Sequence, residues 1–194
     1  VGSEMCIRDR DYTLYDLIST AKQINRQLFA RFDEIEFVQN VKCEKMMKGT
    51  YFPFLVDIIC IMINNAINHS GLDIGKLKIN INMFTATDEI KHALSEECGE
   101  KWDNIQNEDE LLVIEVINNL KCDDLEKLRN NIGSTFDNLN KPEVVKKYAQ
   151  KEGGSGLYKI YQRLKYNIPS PYVIIYKIDE NQFCITLVIG MNSI

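Results

Sequence analysis

The sequence predicts an α+β domain built as a two-layer sandwich, with helices on one face of a mixed, mainly antiparallel sheet. Three observations carry that expectation. A helical run sets Leu55, Ile58, Ile59, Met62, Ile63, Ala66 and Ile67 on one broad apolar face. Segments 76–84 and 111–117 read as strands, the first alternating and the second apolar almost throughout. Segments 172–178 and 183–189 read as a hairpin joined through Asp179-Glu180-Asn181.

In chain order, the first element is an amphipathic helix. Leu14, Leu17, Ile18, Ala21, Ile24, Leu28 and Phe32 follow i, i+3, i+4, i+7 spacing. It is either the tail of a signalling or dimerisation helix or a helix packed on the domain. A strand is expected over 37–42. Lys48-Gly49-Thr50 then leads to Pro53, which suits a first helical turn because the N–H it lacks has no partner there. Gly71 marks the end of that helix. Segment 85–109 is charged and reads as an insertion or a surface helix. Segment 120–152 is long and polar, with short helical patterns, and connections of that kind are usually lids or disordered loops. A helix with Leu157, Ile160, Tyr161 and Leu164 on one face follows.

The N-terminus stands apart. Glu4-Met5-Cys6-Ile7-Arg8-Asp9-Arg10 resembles the in-frame translation of a sequencing-library adaptor; the alternative is an ordinary disordered terminus. The expected division is a non-native 1–10, a helix and linker over 11–36, and one domain over 37–194. On the adaptor reading the chain is the C-terminal piece of a longer protein.

Composition excludes several classes. The chain has 194 residues, a hydrophobic fraction of 45% and a charged fraction of 26%, ordinary for a globular domain. Its net charge of −5 leaves no basic footprint for nucleic acid. No apolar run is expected to reach the length of a membrane span. The six cysteines are scattered without a CxxC pair, and with two histidines they give no zinc pattern. Cys60 and Cys184 fall in apolar segments as reduced core residues, which fits a cytoplasmic setting.

The polar side of the 55–67 helix points to chemistry. At about 100° per residue, Asp57, Asn64, Asn65 and Asn68 fall away from the apolar face. Asn is a poor helix former, so three of them there need a reason. A pocket that uses amides for a hydrated metal or a phosphate supplies one. A second signal is Gly153-Gly154-Ser155-Gly156 before a helix. A helix N-terminus offers free N–H groups and partial positive charge, and glycines allow close approach to a phosphate. Alone, such a turn is either a phosphate site or a flexible loop. It is neither a GxxxxGK[ST] loop nor a dinucleotide fingerprint.

Together these pieces resemble the GHKL ATPase superfamily, which includes gyrase, a heat-shock chaperone, mismatch-repair ATPases and the catalytic domains of sensor histidine kinases. Asn64 to Ser70 (NNAINHS) is similar to the family's Asn box. Gly154 to Ile160 (GSGLYKI) is similar to its last glycine box, in the short form of the peptide-sensing kinases. The resemblance covers residues from about Phe37 onward. It implies the Bergerat-type ATP-binding fold and a site for ATP and Mg²⁺. Asn65 matches the Mg²⁺-holding Asn, with Asn64 beside it. Asn68 stands where many kinases have a phosphate-contacting Lys. His69 is either a nucleotide neighbour or a polar residue at a helix end. Gly154, Ser155 and Gly156 would lie against the phosphates, with the amides near Leu157. Asn118 replaces the family's adenine-binding Asp, since its oxygen accepts the same hydrogen bond; otherwise it is a turn residue.

Two departures limit the activity. Ile61 stands where gyrase-like members have the Glu that activates water, and isoleucine takes no proton. Asp57, one turn further back, would reach the site only through water. The resemblance therefore implies weak intrinsic hydrolysis. No spare histidine lies on the 14–32 helix, so a kinase of this kind needs a phosphoacceptor on an upstream domain or a separate protein. The alternative is a degenerate domain that keeps the fold as an interaction module. A DNA-topology or repair ATPase fits poorly with the acidic balance and the missing Glu.

Overall fold

The computed structural model describes residues 10–123, 125–139, 141–150 and 155–192. The adaptor-like segment up to residue 9, and Gly153 and Gly154, lie outside them.

Helix α1 spans Leu14–Leu28 and opens with a capping box. Thr13 Oγ1 accepts from the Asp16 N–H at 3.2 Å, and Asp16 Oδ2 accepts from the Thr13 N–H at 2.8 Å. Leu14, Leu17, Ile18 and Ala21 are buried against the domain, so α1 packs on it rather than standing off as a free stalk. The apolar stripe does not continue inward: the helix ends before Phe29, Leu28 is 63% exposed, and Phe32 is buried from a separate 3-10 turn.

Strand β1 (Glu36–Lys42) leads to helix α2 (Phe52–His69), with Pro53 in its first turn. Strand β2 (Lys78–Thr85), helix α3 (Asp88–Cys98) and strand β3 (Leu111–Asn119) follow. The long polar connection is helical: α4 spans Leu125–Asn138 and α5 spans Pro142–Ala149. Helix α6 (Gly156–Asn167) precedes the hairpin of β4 (Tyr172–Asp179) and β5 (Gln182–Gly190). The sheet order is β1-β2-β3-β5-β4. Only β1 and β2 run parallel; the other pairings are antiparallel. The helix between β1 and β2 explains this, because parallel neighbours need a crossover.

Alternation divides the sheet residues between two faces. Ile79, Ile81 and Met83 of β2, Leu112, Ile114 and Val116 of β3, and Ile185, Leu187 and Ile189 of β5 meet α2 in the main core. α1 and α6 pack on α2 in turn. This is the expected two-layer sandwich. The charged 85–109 segment adds partial cover on the opposite face. Leu94 and Cys98 of α3, with Ile105, pack there on Leu111, Val113, Val173, Ile175 and Val188.

Helix α2 is apolar enough to pass for a membrane span. The helical run Gly49–His69 has a mean hydropathy of 1.6 over its most apolar window, which corrects the expectation that no run would reach that length. Leu55, Ile58, Ile59, Met62 and Ile63 are fully buried inside the protein, and Asp57 is ion-paired. α2 is therefore the core helix. The five described cysteines are free, and burial pushes the Cys60 and Cys184 thiols up to about 11.

Removing side-chain volume from α2 should be costly because its core-facing apolar side chains, Ile59 among them, are fully buried in the main core. Ile59→Ala is expected to destabilise the fold by about 2–5 kcal/mol, read as a lowered urea midpoint with an unchanged slope.

Candidate functional site

The site grows from the end of strand β3. Alternation carries Leu112, Ile114 and Val116 toward the helices, and Asn118 is next on that face. Asn118 is buried, at 4% exposure. Its Nδ2 donates to the Asn119 carbonyl at 2.7 Å. That bond fixes the amide orientation and leaves Oδ1 as the acceptor without a protein partner among the described residues. Phe183 of β5 pairs with Asn118 across the ladder.

The neighbouring Asn119 does structural work. It accepts from the Lys78 N–H at 2.7 Å and donates to the Lys76 carbonyl at 2.9 Å. It thereby ties the end of β3 to the start of β2. A second tie joins β3 to α2: the Lys121 N–H donates to the Ser70 carbonyl at 2.7 Å. Gly71 follows at φ +69°, a conformation that favours glycine, and a Cβ there would run into the Lys121 carbonyl.

These ties set the last turns of α2 over Asn118. Asn65 and His69, one helical turn apart, line a cavity of about 450 Å³ together with Asn118 and Phe183. Helix α4 closes one side through Leu128, Asn131, Ile132 and Thr135. Gly156 and Leu157, at the start of α6, close another. The approach is tight: a Cβ on Gly156 would stand only 2.8 Å from Asn65 Cγ. Ser155 provides no side-chain cap to α6, so among the described residues its first N–H groups have no side-chain cap. Two other cavities are larger, about 560 and 620 Å³, but neither gathers these amides or the α6 N-terminus.

The polar stripe of α2 divides in two. Asn64 is one residue, about 100°, round the helix from Asn65, and Asn68 lies one turn on from Asn64. Asn68 Nδ2 donates to Asn64 Oδ1 at 2.7 Å, and neither residue lines the cavity. Asp57, expected near the site through water, is instead paired with Arg163 of α6 at 2.9 Å. Ile61 packs against the core. Among the described residues, no Asp, Glu, Lys or Arg lines the cavity. Among the described residues there is no group of three His, Cys, Asp or Glu side chains able to hold a metal.

Thus Asn65, His69, Asn118, Gly156 and Leu157 meet at one cavity, and Ser155 is buried beside them. Gly154 lies outside the described residues. The α4 contributors were missed. Their signal was the spacing of Leu128, Ile132, Phe136 and Leu139, a helical stripe interrupted by amides. Phe136 is buried with its ring 4.5 Å from that of Tyr176, so α4 is packed in place.

No family model matches the chain, and no curated protein matches it. Solved structures do resemble it. The catalytic domain of the histidine kinase ThkA, in a nucleotide-free form, aligns at TM-score 0.55 and 15% identity, over 94% of this chain and 96% of that one. The Acinetobacter baumannii histidine kinase AdeS aligns at TM-score 0.50 and 10% identity, over 94% of this chain and 67% of that one. At such identities the likeness is one of fold. The chain has the fold of histidine kinase catalytic domains.

The Asn119 clamp is testable on its own. Asn119→Ala should cost about 1–2 kcal/mol in urea unfolding and speed hydrogen exchange at the Lys78 amide.

Proposed function

We propose that this chain is a nucleotide-binding domain that holds Mg²⁺–ATP in the cavity between α2, α4 and α6. The observation that carries the reading is the close approach of Asn65 to Gly156 at the start of α6, where Ser155 supplies no side-chain cap. An amide oxygen, open backbone donors and a glycine are what a metal-bound polyphosphate needs. The volume of about 450 Å³ lies in the usual range for small-molecule sites.

The residues divide the ligand between them. Asn118 Oδ1 is oriented to accept a hydrogen bond from an exocyclic amino group such as that of adenine. Leu120, Ile132 and Phe183 supply apolar walls for a base. Gly156, Leu157 and Ser155 lie where the phosphates would meet α6, with Gly154 preceding them in the chain. Asn65 is the protein oxygen that fits Mg²⁺, which keeps water and phosphate oxygens for the rest of its shell. Asn64 and Asn68 act on this reading only as a rim, reached after their mutual hydrogen bond opens. His69 stands at the cavity wall.

Bound Mg²⁺ would offset phosphate charge; what the chain itself does is bind and orient. With Ile61 packed against the core and no carboxylate among the described lining residues, the water-activating Glu of gyrase-like members has no counterpart here. Phosphotransfer from this domain would need a histidine on an upstream domain or a separate protein. His92 of α3 is exposed and lies outside the cavity lining. The domain is proposed to work in the reduced cytoplasm, consistent with its free cysteines. A second reading, a degenerate interaction module, draws on the Asn64–Asn68 pair and the uncharged lining.

Titration with a fluorescent ATP analogue separates the two. Mg²⁺-dependent binding is expected, lost at least about tenfold in Asn65→Ala, a change of about 1.4 kcal/mol or more. Gly156→Ala should lose binding likewise with little change in thermal stability, because the Asn65 side chain can swing aside at small cost. Absence of binding at millimolar nucleotide would favour the interaction module.

Hydrolysis by the purified domain should stay below about one turnover per second, the low end of enzyme rates. A phosphate-release assay checks it, and Ile61→Glu is the variant expected to raise the rate.

A further inference from the structure

A second surface lies apart from the cavity. Residues 141–167 carry seven lysines and arginines against two glutamates, a local charge of +5 in a chain whose net charge is −5. Helices α5 and α6 fall in this stretch. Between them is a groove of about 620 Å³.

The groove has an apolar floor and basic edges. Val145, 4% exposed, and Tyr161 form the floor, and Tyr166 stands 71% exposed at the rim. Lys146 and Lys165 line the edges. Lys165 Nζ lies 5.6 Å from the Tyr161 ring and 5.8 Å from that of Tyr166. Neither lysine has a carboxylate partner among the described residues, whereas Arg26, Arg31, Lys45, Lys78 and Arg163 are all ion-paired. Among the described residues, Glu143 is the one acidic side chain in the groove lining. An exposed aromatic ring and ammonium groups without a described carboxylate partner, above an apolar floor, match a helix that is apolar on one side and acidic on the other.

We propose that the α5–α6 groove docks an acidic amphipathic helix of a partner protein. The apolar stripe of that helix would lie on Val145, Tyr161 and Tyr166, with its carboxylates on Lys146 and Lys165. Single-stranded nucleic acid also uses rings and cations, but the net charge of −5 opposes a long polyanion and not a short acidic face. The groove shares no lining residue with the nucleotide cavity, so this inference stands independently of that reading.

The test uses the full chain and a fluorescein-labelled peptide designed as an amphipathic helix, leucine on one side and glutamate on the other. Anisotropy should show binding that weakens at least tenfold in the Lys146→Glu/Lys165→Glu double variant. Lys146→Ala/Lys165→Ala should weaken it less, and a scrambled peptide of the same composition should bind at least tenfold more weakly. Binding of the ATP analogue and the far-UV circular dichroism should be unchanged in both variants, since all the altered side chains are exposed. Equal binding of the scrambled peptide, indifference to both double variants, or tighter binding of a single-stranded oligonucleotide would overturn the proposal. So would self-association in sedimentation that the lysine variants abolish, since the acidic 88–110 stretch of a second copy would then be the occupant.

Discussion

The site depends on one hydrogen atom. At Gly156 the backbone of α6 comes so close to the Asn65 amide that a methyl group would stand 2.8 Å from its carbon. Glycine lets the start of one helix touch the polar side of another, and neither could serve a common ligand otherwise. The spacing also limits what Asn65 can do. Its amide lies beside the start of α6, which Ser155 leaves without a side-chain cap and where an acceptor or an anion is favoured.

Helix α2 meets two demands along one rod. Its first turns bury Leu55, Ile58, Ile59 and Met62, and this packing fixes its rotation against the sheet. Once the rotation is fixed, Asn65 and His69 must face the end of β3. The ties outside the core then set the distance: Lys121 to Ser70, and Asn119 to both Lys76 and Lys78. Asn118 is held by the same frame, and the bond to the Asn119 carbonyl turns its oxygen outward. A rigid frame of this kind lets a loop-rich edge of the sheet carry placed polar groups.

Much of this was legible in the sequence, for identifiable reasons. The two-layer fold followed from periodicities of 3.6 and 2, which depend on burial alone. Asn65 and Gly156 were legible because their residue types are costly where they stand unless something uses them. Asn64 and Asn68 were less so: periodicity grouped three amides together, but a step of one residue turns the side chain by about 100° and puts Asn64 outside the cavity. The pairing of Asp57 with Arg163 joins residues far apart in sequence, and no local pattern encodes it. Helices α4 and α5 were hidden by their polarity. They form because a few residues, Phe136, Leu139 and Val145, are buried by the rest of the fold.

Among the described residues no lysine, arginine or carboxylate lines the cavity, and that shapes how a charged ligand could be held. Amides, a threonine, an imidazole and apolar side chains line it, and none of the described lining residues is a lysine or arginine that could meet a phosphate directly. On the proposed reading, the compensation for phosphate charge falls to the metal and to the α6 N-terminus, whose partial charge is about half a unit. Removing Mg²⁺ should then cost more here than in a site with a phosphate-contacting lysine. On that reading binding and catalysis separate as well. Amides orient a ligand without exchanging protons, so the groups proposed to fit a nucleotide to this cavity would leave its terminal phosphate intact until another group arrives.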